Sequence, residues 1–172
     1  MQQKVYVLAL VFMYMVHAKS EIGDFISPVV MWLIVFAGFA LGFYILGSNK
    51  LFERGLLSWL LLAVAIVYWS FLFFGAVGVN KMVARSSNRT PHIIKAGVYG
   101  RVRHPIYSAD IALMWGIFLF FPVSGLLACA IWLTVILIIW SMLEESVLIH
   151  RFGEQYTNYQ RQVPMLVPDF SK

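Results

Sequence analysis

The chain has little charge and almost no cysteine. Only 12% of its 172 residues are Asp, Glu, Lys or Arg, while 61% are apolar. Soluble domains run nearer a quarter charged and half apolar. Such scarcity excludes an ordinary water-soluble fold, because a chain this short cannot hide so much apolar surface from water. Lipid must be part of its solvent. The single cysteine, Cys129, lies inside an apolar run, so an intrachain disulfide is excluded. With four scattered histidines it also excludes a thiolate metal site, and Cys129 reads as packing. Internal repeats and low-complexity tracts are absent, and the length suits one domain.

Five apolar stretches are present instead. They run over Val5 to Ala18, about Phe25 to Gly47, Leu56 to Val79, Ile106 to Phe121, and Gly125 to about Leu148. A helix needs roughly 20 residues to cross about 30 Å of hydrocarbon. The second, third and fifth stretches meet this. The fourth is short and must tilt little, thin the bilayer or shelter against its neighbours. Pro122-Val123-Ser124-Gly125 joins it to the fifth, which predicts a tight helical hairpin. The expected fold is an all-α integral membrane protein of about five transmembrane helices. Residues 1–79 would form three amino-terminal helices and 80–172 a loop, the hairpin and a tail, all in one membrane domain.

Met1 to Ala18 also resembles a secretory signal, with Lys4 ahead of the apolar run and Val16-His17-Ala18 as a cleavage site. Charge placement favours a retained first helix. With the amino terminus outside, the inner segments hold Lys19, then Lys81, Arg85, Arg89, Lys95, Arg101 and Arg103, then Arg151, Arg161 and Lys172. Only Lys4, Lys50 and Arg54 lie outside. The opposite arrangement puts the six-charge loop outside, against the positive-inside rule. The loop from Asn80 to Arg103 and the tail from Arg151 are therefore expected on the cytoplasmic face, and an active site with them.

Several groups there can carry chemistry. In Arg103-His104-Pro105-Ile106-Tyr107, proline keeps the residue before it out of helical geometry and suits the first helical turn. His104 thus caps a helix that begins at Pro105. The free N–H groups of that helix make a seat for a carboxylate or phosphate, which Arg101 and Arg103 reinforce. The same features serve a basic helix start that grips anionic headgroups. Glu144 and Glu145 lie at the carboxyl end of the fifth stretch, where the helix dipole disfavours anions and the membrane makes charge expensive. A cation should compensate them: Arg101, Arg103, Arg151, or a positively charged ligand. Adjacent helical residues point roughly 100° apart, so one carboxylate can face a ligand and the other an arginine. Asp110, three residues after Tyr107, reads as an acid paired with a nearby arginine. In the tail, Gly153 can end a helix, Tyr156 and Tyr159 share a face, and Pro164 and Pro168 impose an extended segment that folds back as a lid or anchors at the surface.

Taken in order, Gly97-Val98-Tyr99, Arg103-His104-Pro105-x-Tyr107, Glu144-Glu145-x-x-Leu-x-x-x-Phe-Gly-x-x-Tyr-x-x-Tyr159 and Val163-Pro164-x-x-x-Pro168 resemble the isoprenylcysteine carboxyl methyltransferase family and its phospholipid methyltransferase relatives. The resemblance covers Gly97 to Pro168. It implies methyl transfer from S-adenosyl-L-methionine at the cytoplasmic membrane face, with loop and tail covering the cofactor site. By similarity Tyr99, His104, Pro105, Ile106, Tyr107 and Glu144 would bind the cofactor, joined by His92, Ile93 and Ile94. No catalytic residue is assigned, and no metal or nucleic-acid partner is expected. Ala109 stands where the family usually has glycine. Trp140-Ser141-Met142-Leu143 lacks the arginine that carboxyl methyltransferases carry before the acidic pair. The acceptor therefore stays open among a carboxylate, a phospholipid amine and another small hydrophobic nucleophile. It is expected to be a lipophilic or lipidated molecule that arrives from the bilayer, with membrane lipids as neighbours. The competing readings are an NADPH-dependent reductase of sterol-reductase type and a non-catalytic binder of anionic lipid.

Overall fold

A computed structural model describes residues 27–79 and 92–171. The stretch from Val5 to Ala18 and most of the basic loop lie outside the described residues. Among the described residues five α-helices follow in order: α1 (Pro28–Leu46), α2 (Leu56–Val79), α3 (Pro105–Phe120), α4 (Ser124–Phe152) and α5 (Glu154–Gln162). A short 3-10 turn, Gly97–Gly100, precedes α3, and no strand occurs among the described residues.

Local chemistry sets these boundaries. Ser27 caps α1 by accepting the Val29 N–H, with Pro28 in the first turn. His104, held outside helical geometry ahead of Pro105 at a φ of -118° and a ψ of 69°, is the N-cap of α3. Gly153, at a φ of 55°, ends α4, its N–H donating to the Ile149 carbonyl. The bounds of α2 coincide with the apolar run, whereas α4 continues one turn beyond Leu148 to Phe152. That extra turn carries His150 and Arg151, basic residues suited to a helix carboxyl end.

By length and composition α1, α2 and α4 can cross a membrane, whereas α3 is a shorter apolar helix of 16 residues. At 1.5 Å per residue it spans roughly 24 Å, short of the hydrocarbon layer. It shelters instead. Ser108, Ala109, Met114, Gly116, Phe118 and Phe120 are all buried between α2 and α4. Helices in lipid gain little from the hydrophobic effect and associate through close van der Waals packing at small residues. Gly116 is such a residue: a Cβ there would come within 2.5 Å of the Ala65 methyl on α2. Outward faces remain apolar, with Leu41, Trp59, Val67 and Phe74 exposed, as suits a surface solvated by lipid.

The packing is not sequential. α2 lies along α3, α1 lies along α4, and α3 joins the two pairs. Met31 and Val35 of α1, Met114 and Phe118 of α3, and Cys129, Leu133, Leu137 and Trp140 of α4 form the main core. Cys129 is packing, as its surroundings predict. At the far end the two connecting loops are tied together: the Leu51 N–H donates to the Pro122 carbonyl, and those of Ser124 and Gly125 donate to Asn49 and Gly47. The other end gathers the start of α1, the finish of α2, the start of α3 and the finish of α4.

Candidate active site

At that second end a cavity of about 900 Å³ opens between the helices. Pockets for drug-sized ligands run roughly 300–1,000 Å³, so the space suits a cofactor. All nine residues singled out in the sequence line it: His92, Ile93, Ile94, Tyr99, His104, Pro105, Ile106, Tyr107 and Glu144. The start of α3 and the finish of α4 meet there.

Glu144 and Glu145 divide their roles as helical geometry predicts. Glu144 lines the cavity and accepts a 2.9 Å hydrogen bond from the Tyr107 hydroxyl, with His104 Nδ1 at 3.7 Å. Glu145 turns toward the protein and is buried. Arg103 grips it with Nε at 2.7 Å and Nη2 at 3.1 Å, a bidentate pair. His104 Nε2 and the Gln160 amide donate to the same carboxylate at 3.0 and 2.7 Å. The ring of His104 lies parallel to that of Tyr107, with centroids 5.6 Å apart. The imidazole is thus locked between two carboxylates and a phenol.

The tail completes the wall. Arg103 Nη1 donates to the carbonyls of Gln160 and Val163, and the backbone N–H groups of Arg103 and His104 donate to Pro164 and Met165. Tyr159 donates to the Tyr99 carbonyl at 2.6 Å. Tyr156 and Tyr159 are buried and line the cavity. Burial pushes both phenols well above the ordinary tyrosine value, and the Glu145 carboxylate adds to the rise at Tyr156, so both stay protonated. Gly97 lets the loop make its turn, with a φ of 60° that disfavours any side chain.

Some expectations are met differently. Arg103 lines the cavity, but Glu145 and the tail carbonyls occupy its guanidinium, so it is a poor anion seat. The Arg101 guanidinium lies over the Phe170 ring. What remains at the start of α3 is backbone: the N–H groups of Ile106 and Tyr107 precede the first turn-closing hydrogen bond, from Ser108 to His104. Asp110 was expected beside an arginine. Its partner is the indole of Trp69 on α2, which donates at 2.8 Å, and Asp110 also lines the cavity. His150 is exposed on the last turn of α4.

Sequence reasoning missed the walls supplied by α1 and α2: Trp32, Phe36, Trp69, Phe73 and Val77. Both helices are apolar on every face, so no periodicity marks a lining side. The turn before the acidic pair, Trp140 to Leu143, supplies no lining residue. Ser141 there is buried, its hydroxyl bonded back to the Leu137 carbonyl.

Comparison with known proteins gives the family. The phospholipid methyltransferase family matches residues 54–155, from the start of α2 to the first turn of α5. The chain belongs to that family. It is similar to the methanethiol S-methyltransferase of Pseudomonas deceptionensis, at 35% identity over 137 residues, covering 74% of this chain and 48% of the relative. The methanethiol S-methyltransferase of Crocosphaera subtropica is 36% identical over 74 residues, 43% of this chain and 28% of the relative. Methanethiol S-methyltransferase 1 of Bradyrhizobium diazoefficiens is 33% identical over 100 residues, 57% and 34% of the two chains. The chain thus spans less than half the length of each of these relatives.

Proposed function

We propose that this protein is a membrane methyltransferase that moves a methyl group from S-adenosyl-L-methionine to a small lipophilic acceptor. The observation that carries the reading is the meeting of the α3 amino end and the α4 acid Glu144 in one cavity. Family membership supports methyl transfer. The names of the relatives support a thiol as the acceptor.

The lining chemistry fits the donor. S-adenosyl-L-methionine supplies an activated methyl on a sulfonium and also carries an ammonium, a carboxylate and an adenine. Glu144 and the faces of Tyr99 and Tyr107 suit the cationic groups. The first-turn N–H groups of Ile106 and Tyr107 suit the carboxylate. Ile93, Ile94 and Ile106 offer apolar contact to the adenine. Methyl transfer is an in-line displacement, so the residues serve chiefly to fix geometry and exclude water. The tail, bonded across Arg103 and His104, is well placed to do the latter. We further read the chain as a single domain of five spans, with the site on the cytoplasmic face. The basic residues of the loop and tail support that orientation.

Calorimetric titration of purified protein in detergent tests the assignment. S-adenosylhomocysteine should bind with one site per chain, and NADPH should give no heat of binding. Binding of NADPH alone would favour a reductase, and binding of neither a lipid-gripping protein.

A further inference from the structure

The cavity has two chemically different ends. Its wall on α2 runs from Val77 back to Trp69, and its wall on α1 from Pro28 to Phe36. Eight residues at 1.5 Å each carry the space about 12 Å along the helices, away from the polar end and into the apolar layer. There the walls are aromatic: Trp32, Phe36, and Trp69 stacked on Phe73 with centroids 4.6 Å apart. Among the described lining residues, one acidic side chain stands at that depth. Asp110, a turn further along α3 than Tyr107, holds its Oδ1 on the Trp69 indole. A carboxylate within the hydrocarbon layer is expensive, and one that faces a cavity there calls for a function. The proposed donor contacts at Glu144, Tyr107 and the start of α3 do not use it.

We infer that the aromatic end bounded by Asp110 and Trp69 is the acceptor subsite, that it takes a small neutral thiol, and that Asp110 is the general base. The inference rests on the methyltransferase reading above. A lone pair on the thiol sulfur forms the new S–C bond. The donor's S–C bond breaks, and its electron pair returns to the donor sulfur, leaving it neutral. The thiol proton passes to Asp110 Oδ2, while the Trp69 N–H steadies Oδ1. Aliphatic thiols are protonated at neutral pH, so this acceptor needs a base, which an already ionised one would not. The aromatic walls suit an apolar substituent and exclude the water that would compete for the carboxylate. None of the residues in the turn before Glu144 lines the cavity, and of its two lining carboxylates, Glu144 and Asp110, it is Asp110 that stands at the aromatic end.

Asp110→Asn, purified in detergent, provides the test with 1-butanethiol and with thiophenol, a far stronger acid. General-base catalysis contributes roughly 10²–10⁴-fold. The variant should therefore lose at least 100-fold in kcat with 1-butanethiol but only a few-fold with thiophenol. S-adenosylhomocysteine affinity and the binding of 1-butanethiol to the S-adenosylhomocysteine-loaded protein should stay within a few-fold of wild type. Trp69→Phe, which keeps the carboxylate and removes its donor, should show the same thiol selectivity with a smaller loss. Equal losses with both thiols, unchanged kcat, or a collapse of S-adenosylhomocysteine affinity in Asp110→Asn would each overturn the inference while leaving the methyltransferase reading intact. Failure of the wild type to bind S-adenosylhomocysteine would overturn both.

Discussion

Arg103→Ala lowers the unfolding free energy by about 3–5 kcal/mol, the usual consequence of leaving one partner of a buried ion pair alone. Both side chains of the pair are nearly enclosed, at 10% and 9% exposure, so solvent screens little of the loss. The guanidinium does more than neutralise Glu145. It also holds the carbonyls of Gln160 and Val163, so its removal frees the tail from the α4 end. Reversible unfolding in mixed micelles measures the effect. Arg103→Lys recovers only part of it, because an ammonium cannot reproduce the planar two-pronged contact. Combining Arg103→Ala with Glu145→Gln costs less than the sum of the two single changes, since no buried charge is then left unpaired. A loss below about 1 kcal/mol, the range of exposed pairs, would mean that this contact does not hold the tail.

Glu144→Gln acts on the ligand instead. A hydrogen bond to a charged group contributes about 1.5–3 kcal/mol, so S-adenosylhomocysteine binding should weaken roughly 10- to 100-fold. The fold should survive, because a glutamine carbonyl still accepts the Tyr107 hydroxyl. Tyr107→Phe removes that hydroxyl and should have a smaller effect in the same direction. Calorimetry on both variants, with unfolding midpoints measured alongside, separates loss of affinity from loss of structure. An affinity for S-adenosylhomocysteine that ignores the charge at position 144 would remove Glu144 from the site.

Much of this arrangement was legible in the chain. The run from Leu56 to Val79 coincides with α2, because nothing polar interrupts it. Pro105 announces the start of α3, and adjacency of Glu144 and Glu145 already implies that they diverge. The choice of arginine was not legible. Arg101, Arg103 and Arg151 are equivalent in sequence, and only the docking of the tail against the His104 turn selects Arg103. The Trp69–Asp110 bond was hidden for a related reason. An indole N–H inside an apolar run looks like packing until the neighbouring helix brings it an acceptor. The aromatic walls of α1 and α2 escaped because helices apolar all round carry no record of which side faces inward.

The account stands on a ligand seated between the first turn of α3 and the last turns of α4. An experimental structure of the protein bound to S-adenosylhomocysteine tests this most directly. The ligand should lie against Tyr107, Ile106 and Glu144, with its sulfur turned toward the Trp69–Asp110 end. Density for it elsewhere on the chain, with His104, Tyr107 and Glu144 packed together and the cavity closed, would contradict it.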